Sequence, residues 1–362
     1  MMASTSESDT PSVSNLEEKR SHLCNEFAAI AGTDSAVAQC YLAENDWEME
    51  RALNSFFEAD MERVFDVEEL PEKDTTPKAK RQKVEDAPPA NCIDLTADSP
   101  ATTRKPSEED DGKLSLITWN VDGLDTDNIA ERARGLCSYL VLYTPDVVFL
   151  QELIPPYVQY LKKRAVSYLM IEGAEEGYFT GMLLKKSRVT LVESEIVPYR
   201  TTKMMRNLLV AQVIVDGQKL CLMTSHLESG KANSKERMNQ LHVVKWRFKR
   251  APDDVTVVFG GDTNLRDAEV PKVGLPATVC DVWEQLGKQE HCRYTWDTTI
   301  NTNKKASFPV RFRFDRIYLR PAVRRGVPCL APDHMALVGL EKLDCGRYTS
   351  DHWGIYCTFS AE

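Results

Sequence analysis

Apolar runs in this chain stop repeatedly in residues able to handle a metal ion or a phosphate. SLITWNVDGL ends in Asn120 and Asp122, VVFLQE in Glu152, CLMTSHLES in His226, and VTVVFGGDTNLRD in Asp262 and Asn264. RFRFDRI carries Asp315 inside its apolar run, and Asp351 and His352 stand just before the last run, GIYCTFS. Asp, Asn and Gly end strands for an ordinary reason, since they make turns. Turn chemistry accounts for any one of these endings but poorly for the whole set, and the strand tips of an α/β sheet are where active sites are assembled.

The residue types then choose the reaction. Carboxylates and amide oxygens, with neither CxxC nor paired-His spacing, suit a hard cation such as Mg²⁺, for which Mn²⁺ substitutes, and argue against zinc. Of six histidines only His226 and His352 lie in these motifs, leaving His22, His242, His291 and His334 for surfaces and loops. No GxSxG elbow accompanies the Asp351-His352 pair, and Walker A and kinase glycine loops are absent, which disfavours a serine triad and nucleotide triphosphate chemistry. What remains is metal-assisted hydrolysis of a phosphate ester. A carboxylate base activates water while the cation and imidazoles neutralise charge developing on the phosphoryl group.

Elements must carry these groups to one place. KLSLITWN, PDVVFLQE, GMLLKK, RNLLVAQVIV, KLCLMTSH, DVTVVFGGD, RFRFDRIYL and GIYCTFS read as strands, and Asp216-Gly217 between two of them is a hairpin turn. NIAERARGLCSYLVLY and NSKERMNQLHVVKWRFKR read as helices, so residues 113–362 fit mixed sheets covered by helices. On the second helix, Lys245, Arg247, Lys249 and Arg250 read as a solvated face. Residues 17–60 hold three short amphipathic helical segments, the second after an Asp34 cap, and 61–112 form a Pro- and charge-rich linker with too few apolar groups to offset ordering.

Composition bounds the partners. A chain of 362 residues with 42% apolar and 28% charged residues can build a real core. Its net charge of -10 disfavours a passive nucleic-acid coat, so a polyanion must meet a local basic patch. Arg311 and Arg313, alternating with Phe312 and Phe314 beside Asp315, are expected to supply such charge. Ten cysteines without a CxxC pair, an N-terminus without an apolar secretion segment and no membrane-length run read as a reduced, soluble, intracellular protein.

WNVDGL, LQE, GDTN, FDRI and SDHWG, in this order and rough spacing, resemble the Mg²⁺-dependent exonuclease-endonuclease-phosphatase family. The resemblance implies a two-sheet α/β sandwich with the site at one end. It makes Asp122 and Glu152 the Mg²⁺ ligands and Asp262 the base, with Asn120 and Asn264 orienting base and phosphate. It makes His352 a phosphate-binding imidazole aligned by Asp315, adds His226 to the catalytic set, gives Asp351 a supporting role near the metal, and leaves Trp353 as packing.

EEGYFT, TKMMRNLL, TSHLES, ERMNQL, YTWDT and LEKLDCGR are similar to a branch whose members cut the bond between a topoisomerase tyrosine and a DNA 5′ phosphate. A free 5′-phosphate end is left for the repair of DNA breaks. Such a substrate needs a groove for a single-stranded 5′ end with stacking surfaces for its bases. The groove is expected to draw on Tyr178, Arg206, Arg266, Trp296 and Phe314. Asn120, Val121, Asp122, Gly123, Leu124, Asn207, Ser229, Asn264, Leu265 and His352 complete the substrate-binding set. An abasic-site endonuclease of the same family shares WNVDGL and SDH, and an adaptor with an incidental catalytic half is a third reading.

Residues 17–60 resemble a ubiquitin-associated-like module, with Ala31-Gly32-Thr33 where a Met-Gly-aromatic loop is usual and Phe27, Ala31 and the third helix available for an apolar patch toward ubiquitin. In the linker, Lys78, Lys80, Arg81 and Lys83 read as a nuclear import signal, with a cytoplasmic pool allowed. Ile93 and Leu95, flanked by Asp94 and Asp98, read as a strand that a SUMO-like partner could add to its sheet.

Overall fold

The computed structural model describes residues 13–31, 35–44, 47–49, 52–53, 113–306 and 308–361. Two helices come first, α1 (Val13–Ala31) and α2 (Ser35–Glu44). Their apolar stripe is buried through Phe27, Ala31, Ala38 and Leu42. Phe27 and Ala31 therefore line no exposed apolar patch, because the module spends them on its own interior. Most of the third predicted helix, the basic run at Lys78, Lys80, Arg81 and Lys83, and the stretch from Ile93 to Asp98 lie outside the described residues.

Among the described residues fourteen strands follow: β1 (Leu114–Asn120), β2 (Val147–Leu153), β3 (Tyr168–Glu172), β4 (Phe179–Lys185), β5 (Val189–Pro198), β6 (Asn207–Val215), β7 (Gln218–Ser225), β8 (Thr256–Asp262), β9 (Cys280–Asp281), β10 (Trp296–Asp297), β11 (Arg311–Phe312), β12 (Asp315–Arg320), β13 (Leu330–Val338) and β14 (Gly354–Ala361). They form one sheet in the order β13-β14-β1-β2-β4-β3, a second in the order β5-β6-β7-β8-β12-β9, and a two-stranded ribbon β10-β11. Helix α3 (Ile129–Tyr143) joins β1 to β2, α4 (Pro155–Arg164) leaves β2, and α5 (Ser234–Arg250) joins β7 to β8. The two predicted catalytic-region helices fall on α3 and α5, and the fold is the expected α/β sandwich. Phe149, Leu209, Leu222, Val258, Ile317 and Ile355 are buried in the layer between the sheets, each such side chain worth about 1.5–3 kcal/mol on burial.

Topology brings the motif ends together. β1 and β2 are parallel at the centre of one sheet, and β7 and β8 are parallel at the centre of the other, so within each pair the carboxyl tips share an end. β14 runs antiparallel to β1 and β12 antiparallel to β8, so their amino-terminal starts arrive at that same end. Asn120, Glu152, His226, Asp262, Asp315 and His352 all stand there.

RFRFDRIYL is not one strand. It divides into β11 and β12 at Arg313-Phe314, and Asp315 opens β12 instead of lying inside it. The edge strands β5 and β13 escape the apolar pattern because much of their surface faces solvent.

Candidate active site

The antiparallel register of β8 and β12 sets Asp262 directly opposite Asp315. Asp262 is buried, and its carboxylate is gripped from every side. Oδ2 accepts from Asn120 Nδ2 at 3.0 Å and lies 3.2 Å from His226 Nε2 and 3.6 Å from His352 Nε2. Oδ1 accepts from the Asn264 backbone N–H at 3.0 Å. Burial alone would raise the pKa of this acid, but the His226 and His352 imidazoles and the Asn120 amide outweigh it and hold the carboxyl well below the usual range.

His352 is fixed as the resemblance implied. Its Nδ1 meets Asp315 Oδ2 at 2.8 Å, its backbone N–H donates to Ser350 Oγ, and its carbonyl accepts from Trp119 Nε1. Burial works against a charged ring, yet Asp315, Asp262 and Asp351 together push the His352 pKa well above that of a free histidine. The imidazolium thus keeps a proton on Nε2, aimed toward Asp262. Asp315 is held in turn by Thr295, whose hydroxyl accepts the Asp315 and Phe314 backbone N–H groups. On the other flank, Arg206 Nη1 lies 2.8 Å from His226 Nδ1. Arg206 can only donate, so His226 Nδ1 is the acceptor and its Nε2–H faces Asp262.

A second group lies beside this one at the β1 and β2 tips. The two strands stay paired as far as the Val121 N–H to Gln151 carbonyl bond, and then the Gly123 N–H reaches the Glu152 carbonyl. A Cβ on Gly123 would stand 2.1 Å from that carbonyl oxygen, so only glycine lets the backbones close here. Asp122 and Glu152 both take left-handed backbone conformations, φ 50° and 57°. The fully buried guanidinium of Arg132 clamps the carbonyls of Val121 and Asp122. Asp122 Oδ1 meets the Lys304 ammonium at 3.1 Å, while Oδ2 is buried with no hydrogen-bond partner. Burial, reinforced by the neighbouring Asp351 and Glu152 carboxylates, pushes the Asp122 carboxyl well above its usual range. Asp351 itself accepts from Trp296 Nε1 at 3.1 Å.

This donor set fits Mg²⁺. Its atoms are hard oxygens from two or three acids, and one of them, Asp122 Oδ2, is buried and unsatisfied. Donor atoms of Asp262, Asp315 and His352 also lie within 4.8 Å of one another. In that cluster, however, both ring nitrogens of His352 already face carboxylates, and a protonated imidazole offers no lone pair to a metal.

Several predicted substrate residues take places other than those expected. Tyr178 and Phe314 are 4% and 7% exposed, so neither is an open stacking surface. Tyr178 packs beneath the Arg206 guanidinium, 4.9 Å from ring to carbon, and donates its hydroxyl to the Met204 carbonyl. Phe314 stacks on Phe312 at 4.8 Å, with Trp296, His352 and Arg266 around it. Trp296 is partly exposed and does offer a face. Val121 and Leu265 send their side chains into the core and can meet a ligand only through backbone. Leu124 is partly buried, Asn207 donates to the Gly173 carbonyl, and Ser229 faces Met204 sulfur.

Arg311 and Arg313 do not charge the site. With side chains alternating along an extended segment, the phenylalanines turn toward the site and the arginines away, onto Asp297 and Asp281 at 2.8 Å each. On α5, Lys249 and Arg250 are solvated as expected, whereas Lys245 bonds the Val273 carbonyl and Arg247 pairs with Glu195. His22, His242, His291 and His334 are exposed, and Trp353 is buried against Tyr348. The sequence reading missed Lys304, Arg132 and Thr295. Nothing in their local sequence marks them, because each acts on a group outside its own element.

A profile of the Endonuclease/Exonuclease/phosphatase family matches residues 117–352, the span that holds every strand-tip group described above. The chain belongs to this family. A UBA-like domain profile matches residues 21–63. Within the endonuclease/exonuclease/phosphatase family the chain falls in the tyrosyl-DNA phosphodiesterase 2 branch. It is 63% identical to tyrosyl-DNA phosphodiesterase 2 of Danio rerio over 373 aligned positions, covering 96% of this chain and 100% of that protein. The Homo sapiens protein of that name is 54% identical over 349, covering 94% and 92%. The crystal structure of the D. rerio protein complexed with single strand DNA product superposes with a TM-score of 0.68 at 70% identity, over 69% of this chain and 100% of that one.

Proposed function

We propose that this chain hydrolyses the phosphodiester between a tyrosine and a DNA 5′ phosphate, with Mg²⁺ as cofactor, leaving a 5′-phosphate end. The observation that carries this reading is the Asp262 carboxylate. It is ionised, buried, and surrounded by donors from Asn120, His226, Asn264 and the Asp315-aligned His352.

An acid held this low does not ionise water beforehand. Asp262 positions the water and takes its proton as the new P–O bond forms. Asn120 and Asn264 keep the carboxylate in line. His352 Nε2–H and His226 Nε2–H stand beside it and donate to phosphoryl oxygens as negative charge grows there. Asp122 and Glu152 would hold Mg²⁺, with Asp351 supporting its water shell. Bound there, the cation would supply Lewis-acid stabilisation of the charge that develops in the reaction. A phenol leaves with a pKa of about 10, so a tyrosyl ester needs less help than a sugar alkoxide. Arg206 over Tyr178, Arg266 over Phe314, and the open face of Trp296 line the approach, and they support a single-stranded 5′ end as the ligand.

The test is cleavage of a 5′-phosphotyrosyl oligonucleotide, alongside an abasic duplex, with Mg²⁺ and then with chelator. Release of free tyrosine only when Mg²⁺ is present is expected. Cleavage of the abasic duplex alone would return the family's endonuclease reading.

The finer partners follow the same reading. A topoisomerase remnant is the source of the tyrosine, the UBA-like module supports ubiquitin as a ligand, and the Ile93-Leu95 stretch supports a SUMO-like protein. The basic run at Lys78, Lys80, Arg81 and Lys83 supports nuclear import, with a cytoplasmic pool. Relocation of a fluorescent fusion on changing those four residues to alanine tests the last point.

A further inference from the structure

Lys304 stands on the loop that joins β10 to β11, far in sequence from the residues it touches. Its Nζ lies 3.1 Å from Asp122 Oδ1 and 3.2 Å from Asp125 Oδ2, with the Asp351 carboxylate close enough to act on its charge. The other cations around this acidic group are fixed by their own partners. Arg132 is fully buried among backbone carbonyls, and Arg347 grips Asp125 with both terminal nitrogens at 3.2 and 2.7 Å. Lys304 differs in being carried on a flexible side chain that is 41% exposed.

We propose that Lys304 is a tethered counter-cation that occupies Asp122 when no divalent ion is bound and must leave it for the ion to enter. This rests on the reading of Asp122 as a Mg²⁺ ligand. An ammonium on Oδ1 and Mg²⁺ on the bare Oδ2 of one carboxylate repel each other strongly, so the ion enters against the Lys304 charge. Asp125 provides a place to wait. Lys304 can release Asp122 and stay on Asp125, about the same distance away, so the exchange needs a rotamer change with no movement of the loop. The divalent ion therefore binds against a built-in competitor, and the Lys304 charge sets the ion concentration at which the site fills.

Mn²⁺ alone serves as the probe, its free fraction followed by electron paramagnetic resonance on the full chain without substrate. Lys304→Met is expected to tighten Mn²⁺ binding by about two- to fivefold, the range an ion pair of this exposure can hold back. Lys304→Arg keeps the charge and is expected to stay near the wild-type affinity. Melting in chelator is expected to occur at a lower temperature for Lys304→Met than for wild type, with the two curves converging at saturating Mn²⁺. Unchanged Mn²⁺ affinity in Lys304→Met, with binding lost in Asp122→Asn, would overturn the inference and leave the metal reading intact. Wild-type affinity in Asp122→Asn would instead overturn the metal reading on which it rests.

Discussion

The two halves of the active site are built in opposite ways. Both oxygens of Asp262 have donors, the His352 imidazolium stands between the Asp262 and Asp315 carboxylates, and of these two acids Asp315 Oδ1 alone is without a hydrogen bond. Around Asp122 an oxygen is left bare, the neighbours are acids, and the compensating charge is a lysine on a loop. The first half is finished by folding, whereas the second is finished by something that arrives later. A site organised this way holds its base and phosphate donors ready while admitting a cation from solution.

The sharpest way to break this contrast is to neutralise one acid in each half. Asp262→Asn is expected to lower kcat by about 10³-fold, since it removes the proton acceptor. It should also cost roughly 1–3 kcal/mol of stability, because donors built around an anion lose their partner. Asp122→Asn is expected to lower activity about a hundredfold through weakened metal binding. In chelator its melting temperature should stay at or above that of wild type, since burial and the neighbouring Asp351 and Glu152 carboxylates penalise the charge at Asp122 by more than the Lys304 pair returns. Denaturation of both variants in chelator checks the pair, and a similar loss of stability in each would erase the distinction.

The pH dependence sharpens it next. His352 has a raised folded pKa, so its contribution is complete below about 6.5, the ordinary histidine value, and is lost as pH rises through the folded value. Asp262 has a lowered folded pKa, so its contribution is complete above about 3.9, the ordinary aspartate value, and is lost as pH falls through the folded value. Melting temperature in chelator should therefore decline on the alkaline side in wild type, and His352→Gln should flatten that side alone. Asp315→Asn should shift the alkaline limb of kcat/KM to lower pH and cost about tenfold at pH 8, one pKa unit being tenfold. The smallest effect belongs to Arg311→Ala. With its partner Asp297 turned away from the site, it should change stability by less than about 1 kcal/mol and activity by less than about twofold.

Strand-tip chemistry was legible in the sequence because it has a local signature, an apolar run broken by Asn, Asp, Glu or His. That signature located Asn120, Asp122, Glu152, His226, Asp262 and Asp315 before any coordinates, and the register of β8 against β12 then placed two of them face to face. Lys304 was invisible because a lysine in a polar loop looks like any solvated lysine until the chain folds it onto Asp122. Arg311 and Arg313 misled for a related reason. Their spacing correctly gives an alternating face, but which face meets the site depends on Asp281 and Asp297, which the spacing cannot show. Edge strands β5 and β13 were missed because an edge need not be apolar to pair.

The most direct test is where a divalent ion sits. A crystal of this chain soaked in Mn²⁺ and measured for anomalous scattering should show its strongest peak bonded to carboxylate oxygens of Asp122 and Glu152, with His352 still on Asp315. A peak ligated by His352 together with Asp262 and Asp315 would contradict the division of the site into a finished half and a half that waits for its cation.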